Sequence, residues 1–178
     1  MLDLSFTCAS LRDVEPGNLV YVKRGGTPRA AIVVDCSGVP HLPKKALLHL
    51  GPWQEPYVVP MLALDPIPDE SAVVLGTGFY FDVEPKPGAF SFGRLMQRAG
   101  DLQFDDGEVA LMTRRTDYSD GMGRITFTLS GAKWADPQIQ APGRGVTFDK
   151  WTLRLAPGWP GDKGSVVCSW AAKDRGAE

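Results

Sequence analysis

Arg124-Ile125-Thr126-Phe127-Thr128-Leu129-Ser130 alternates apolar and polar side chains after its first residue. Successive side chains of an extended backbone point to opposite faces, so Ile125, Phe127 and Leu129 share one side and Thr126, Thr128 and Ser130 the other. That is the period of a half-buried β-strand. Trp151-Thr152-Leu153-Arg154-Leu155 repeats it, and so do residues 166–170, with Val166, Cys168 and Trp170 expected on one face. Residues 108–113 are expected to pair with 125–130 across the turn at 117–121. The chain therefore reads as all-β.

Turn chemistry supports the same class. Gly 20 and Pro 15 make up about a fifth of the 178 residues, which breaks the chain into short runs. Pro16-Gly17 marks a turn before the strand Leu19-Val20-Tyr21-Val22-Lys23. Gly25-Gly26-Thr27-Pro28 returns the chain into Ala30-Ala31-Ile32-Val33-Val34. Residues 40–51 fit either a short helix opened by Pro43 and closed by Gly51, or a strand ending at Leu50. Residues 57–64 read as a strand that Pro60 restricts to an edge or a bulge. Ala72 to Leu75 and residues 79–83 are further strands, with a bulge or bend at Gly76 and Gly78.

One short helix is expected over residues 92–99. Phe92, Leu95, Met96 and Ala99 fall at helical spacing, Ser91 can cap it and Gly100 can end it. Residues 131–150 read as a long irregular loop of the kind that often carries function or is ordered by a partner. The two prolines and three acids of residues 65–71 suggest a division into a small barrel-like region (1–66) and a larger antiparallel sheet or sandwich region (67–178). One continuous sandwich is the alternative.

Composition excludes several classes. The apolar fraction of 43% and charged fraction of 22% suit a packed globular chain and argue against disorder. The net charge of −2 gives no bulk attraction for nucleic acid. No stretch approaches the ~18 apolar residues of a membrane span, so no membrane partner is expected. Met1-Leu2-Asp3-Leu4 lacks the basic start of a secretory signal. Cys8, Cys36 and Cys168 are odd in number and widely spaced, which favours reduced thiols over a disulfide framework. One disulfide plus a free thiol is the alternative. The expected location is the cytoplasm, or a virion if the product is viral.

No catalytic or metal-binding pattern emerges. Cys36, His41 and His49 have irregular spacing and no evident fourth ligand for zinc. They lack a local signature for a Cys–His nucleophile. Asp105-Asp106-Gly107-Glu108 and residues 117–120 lack the ligand spacing of a calcium loop, and Gly76-Thr77-Gly78 lacks the remainder of a phosphate loop. No cofactor or metal is expected. Two binding features remain. Tyr21, Lys23, Arg24 and Arg29 gather at the first hairpin, a basic and aromatic set suited to RNA or single-stranded DNA. Trp53, Trp134 and Trp159 sit in Pro/Gly-rich stretches, where tryptophan either plugs the end of a fold or anchors an interface.

The segment Pro16-Gly17-Asn18-Leu19-Val20-Tyr21-Val22, followed by Gly26-Thr27-Pro28-Arg29-Ala30-Ala31-Ile32-Val33-Val34, resembles the opening hairpin of small SH3-like barrels, including toxins of the PemK and MazF type. The resemblance implies an RNA-cleaving barrel with a catalytic arginine ahead of its second strand, a place nearest to Arg29. Asn18 stands where that family has aspartate, and Pro28-Arg29 reverses its Arg-Pro order. The leading expectation is a non-enzymatic structural or interaction protein, an oligomeric subunit of a larger assembly such as a capsid, tail or decoration component. An SH3-like RNA-binding or RNA-cleaving barrel, an endoribonuclease, is the alternative.

Overall fold

The computed structural model describes residues 7–24, 27–37, 44–50, 57–60, 71–84, 90–92, 99–105, 108–115, 124–128, 133–135, 145–157 and 163–171. Every regular element among them is a strand: β1 (Thr7–Ser10), β2 (Leu19–Arg24), β3 (Thr27–Asp35), β4 (Lys45–His49), β5 (Tyr57–Pro60), β6 (Ser71–Gly76), β7 (Phe79–Asp82), β8 (Phe90–Phe92), β9 (Leu102–Asp105), β10 (Glu108–Arg115), β11 (Arg124–Thr128), β12 (Lys133–Ala135), β13 (Val146–Phe148), β14 (Lys150–Leu155) and β15 (Val166–Ala171). The all-β expectation holds. Twelve strands form one sheet, in the order β1-β6-β2-β3-β12-β11-β10-β9-β13-β8, with β4 paired to β3 and β5, and β5 also to β10. The other three form a smaller sheet, β15-β14-β7.

The first hairpin follows from its turns. Glu15-Pro16-Gly17-Asn18 forms a β-turn in which the Asn18 amide donates to the Glu15 carbonyl at 3.3 Å. Gly17 has φ 93°, the left-handed geometry that a type II turn demands after proline. Asn18 Nδ2 donates to the same Glu15 carbonyl at 3.0 Å. An ionised aspartate has no proton to give there. Beyond the turn, β2 and β3 pair from Leu19↔Ile32 to Arg24↔Thr27.

Both faces of β3 are buried. Ile32 and Val34 join Leu19, Leu48, Leu102, Leu111, Trp151 and Leu153 in a core between the two sheets. Ala31 and Val33 face the other way and pack with Val20, Val22, Leu47, Ala72, Leu11 and Val14. Lys45 closes this second core at one end. Its Nζ donates to the carbonyls of Arg12 and Val14 at 3.4 and 3.2 Å and lies 3.6 Å from Glu15 Oε1.

The ladders connect β3, β4, β5, β10, β11 and β12 in a circuit that returns to β3. The β5–β10 link is two residue pairs long and the β12–β3 link is the single pair Lys133↔Asp35. No closed barrel wall is formed among the described residues.

Several expectations are corrected. Residues 45–49 take the strand alternative, because β4 fills the space between β3 and β5. β5 has partners on both sides rather than lying at an edge; Pro60 is tolerated because β10 pairs only with Tyr57 and Val58. The bend near Gly76 includes the expected bulge: Leu19 pairs with Gly76 but Val20 with Val74, and Gly76 has φ 86°. No helix occurs among the described residues. Ser91 and Phe92, the expected cap and first helical residue, are extended in β8 opposite Thr147 and Val146. A helix of two turns is marginal without tertiary packing, and here the sheet ladder takes its first residues. Residues 93–98 lie outside the described set, as do the boundary stretch 61–70 and the turn 117–121. Within 131–150, β12 and β13 are strands of the large sheet, so that span is not one irregular loop.

Candidate functional site

The small sheet is built on β14, whose alternation sorts its side chains cleanly. Trp151 and Leu153 are buried, whereas Lys150, Thr152 and Arg154 point outward. Trp151 is anchored twice. Its Nε1 donates to the Gly100 carbonyl at 2.8 Å, and Phe81 meets its ring edge-on at 5.0 Å and 73°. Gly100 has φ 101°, and the indole of Trp170 occupies the place where a Cβ would stand. The turn at Gly100 is thus held between two tryptophans of the small sheet.

The outer face of this sheet is a polar lattice. Arg154 Nε donates to Asp82 Oδ2 at 2.8 Å, and its Nη1 donates to the Gly164 carbonyl at 3.3 Å. Tyr80 Oη donates to the Lys163 carbonyl at 2.6 Å. Thr152 Oγ1 and Ser169 Oγ lie 3.0 Å apart. These bonds fix the segment that enters β15.

β15 is the strand expected over residues 166–170, but its place at the side of a sheet was not expected. Among the described residues it is hydrogen-bonded on one side only, to β14. Its pairing shifts register between Leu153↔Cys168 and Arg154↔Val166, leaving Val167 as the extra residue of a bulge. The bulge turns Val166 outward, 54% exposed, although simple alternation places it with the buried Cys168 and the half-buried Trp170. Val-Val-Cys-Ser-Trp-Ala has neither charge nor proline, and that blankness was the available signal.

The hairpin residues do not share one surface. Tyr21 and Lys23 pair with Ala30 and Pro28 on the Leu19 side, whereas Arg29 pairs with Val22 on the Val20 side. Lys23 is exposed and Arg29 is half-buried. Arg24 pairs with Thr27 at the hairpin end. Of the tryptophans proposed as interface anchors, Trp134 lies in β12 opposite Phe127, while Trp53 and Trp159 lie outside the described residues.

The Cys/His grouping is dispersed. Cys36 and Cys168 are buried in the core between the sheets, Cys8 is exposed on β1, and none of the three is in a disulfide. His49 is buried and pairs with Ala31 on the opposite face of the large sheet from Cys36. His41 lies outside the described residues. Among the described residues no three His, Cys, Asp or Glu side chains converge as metal ligands do.

Burial pushes the Cys168 thiol up to about 12. Burial also raises the Tyr21 hydroxyl, and the nearby Cys168 adds to that shift. Both acids are held protonated by the fold, so their contribution to stability is whole below the unfolded-state pKa and is lost as pH rises. For Cys168 the window runs from about pH 9, its unperturbed value, to about 12. Stability is expected to fall across that window by up to about 1.4 kcal/mol per pH unit, read as a falling thermal midpoint. Cys168→Ala should flatten the fall. An unchanged slope in the variant would show that other groups dominate alkaline unfolding.

No helix of the described residues is long and apolar enough to cross a membrane. Compared with known proteins, the chain matches no family model, no curated protein and no solved structure, so its function is read from its own geometry.

Proposed function

We propose that this chain is a non-enzymatic structural subunit of a larger protein assembly, joined to its neighbours through the edge of its small sheet. A virion shell, tail or decoration component is the instance the reading favours. The observation that carries it is β15, a six-residue strand without charge or proline, paired on one side among the described residues and carrying an exposed valine. Natural sheets usually blunt such edges with charge, proline or brevity, because an open ladder invites another strand. Strand addition supplies affinity through main-chain hydrogen bonds and specificity through alternate side chains. The polar lattice of Tyr80, Asp82, Arg154 and Thr152 holds the edge rigid, which lowers the ordering cost of docking.

The RNA-cleaving alternative ranks second. It draws on Tyr21, Arg24 and Arg29, and the register of the hairpin sets Tyr21 and Arg29 at positions on opposite faces.

Sedimentation of the native protein from its source lysate, with mass spectrometry of whatever travels with it, tests the assembly reading. The expected result is a large particle. Migration at the 19.3 kDa mass of one chain, or at twice that mass, overturns it.

A further inference from the structure

We infer that the strand added to β15 is β15 of a second copy of this chain, laid antiparallel across a two-fold axis so that two three-stranded sheets become one of six. The inference rests on the assembly reading and names the first partner within it.

An isologous contact sets a surface against itself, so any charge near the axis meets its own sign. None of the residues Val166–Ala171 is charged. The other described edges are poorer candidates. β1 has four residues and β8 has three. β7 ends in Asp82, which is engaged by Arg154, and the following residues are Val83, Glu84 and Pro85.

The side-chain rows also permit self-pairing. Ser169 and Ala171 lie outward, opposite Thr152 and Lys150, and Cys168 and Trp170 lie inward, opposite Leu153 and Trp151. Antiparallel pairing keeps inward residues with inward ones only when the two paired numbers have the same parity. Placing Ser169 opposite Ser169 of the second copy meets that condition, and it sets Cys168 opposite Trp170 of the second copy. The outward pair at the axis is then two serines, small enough for two strands to lie side by side, with Ala171 meeting the bulged Val167 of the second copy. A six-stranded sheet also falls within the usual size range, whereas three strands is near the minimum for independent stability.

Sedimentation velocity of the purified full chain, from about 1 to 100 µM, tests the inference directly. Wild type is expected at twice the 19.3 kDa monomer mass, and Ser169→Lys is expected to lose the dimer because it sets two ammonium groups together at the axis. Ser169 is exposed, so the lysine has room in the monomer. Hydrogen exchange of wild type provides a reading independent of any variant: the amides of residues 166–171 should be protected at high concentration and lose protection on dilution. A wild type that stays monomeric throughout overturns the inference, and so does a Ser169→Lys protein that still dimerises. A purified monomer that nevertheless travels in a large particle in lysate sinks self-pairing and leaves the assembly reading intact. A dimer both in lysate and when purified sinks the larger assembly and leaves self-pairing intact.

Discussion

Gly100→Ala is expected to destabilise the protein by about 3–5 kcal/mol, lowering its thermal midpoint by roughly 10 °C or more. Two costs combine. Gly100 has φ 101°, a conformation that L side chains rarely adopt, and a methyl at its Cβ position would overlap the Trp170 indole. The neighbouring contacts leave little room to yield. The Gly100 carbonyl accepts from Trp151 Nε1 at 2.8 Å, and its amide donates to the Met112 carbonyl at 2.8 Å. Gly76→Ala separates the two costs. Gly76 has φ 86°, but nothing lies within 4 Å of its Cβ position, so about 1–2 kcal/mol is expected there from the backbone alone. Urea unfolding of both variants checks the contrast. Equal losses would mean that the Trp170 contact adds nothing.

Val33→Asp and Val34→Asp are each expected to cost more than about 4 kcal/mol and to abolish most soluble expression. On a half-exposed strand one of two consecutive positions tolerates a charge, because it faces water. On β3 neither does. Val34 points into the core between the sheets and Val33 into the second core, and both are fully buried. A carboxylate at either site loses its hydration, and the apolar partners around it offer little in exchange. Lys23→Asp at the exposed end of the same hairpin is the control, expected within about 0.5 kcal/mol of wild type. Retained folding by either valine variant would show that one of the two cores is solvated.

The parts of the fold legible in the sequence were those decided by local physics. β2 and β3 follow from Pro16-Gly17 and the turn residues at 25–28, and β14 from strict alternation. The pairing of β10 with β11 follows from two alternating runs on either side of a polar turn. What escaped was decided at a distance. β12 and β13 are three residues each, too short for a periodicity, and each exists because a neighbouring ladder holds it. Phe92, expected to open a helix, is claimed instead by Val146 across a ladder. The burial of His49 is not legible in the sequence, because one residue of β4 gives no hint that both of its faces are covered. The candidate site was the least legible part. Whether a strand lies at an edge depends on the order of strands in the sheet, and that order is not written in the strand itself. The bulge that exposes Val166 likewise depends on its register with Arg154.

The ladder connecting β6 to β2 has a consequence for how this chain is made. Val20 and Tyr21 pair with Val74 and Val73, so a ribosome that has released only the first 70 residues presents β2 with one flank bare. The Asp35 end of β3 waits longer, until residue 133 emerges, and β5 waits for residues 114 and 115. Pairings this distant in sequence close slowly, because the chain entropy is lost before the contacts form. Strands β2 and β3, rich in valine, are thus sticky until those partners emerge. Production of this protein should respond more to the speed of synthesis and to holding chaperones than its finished stability alone would suggest.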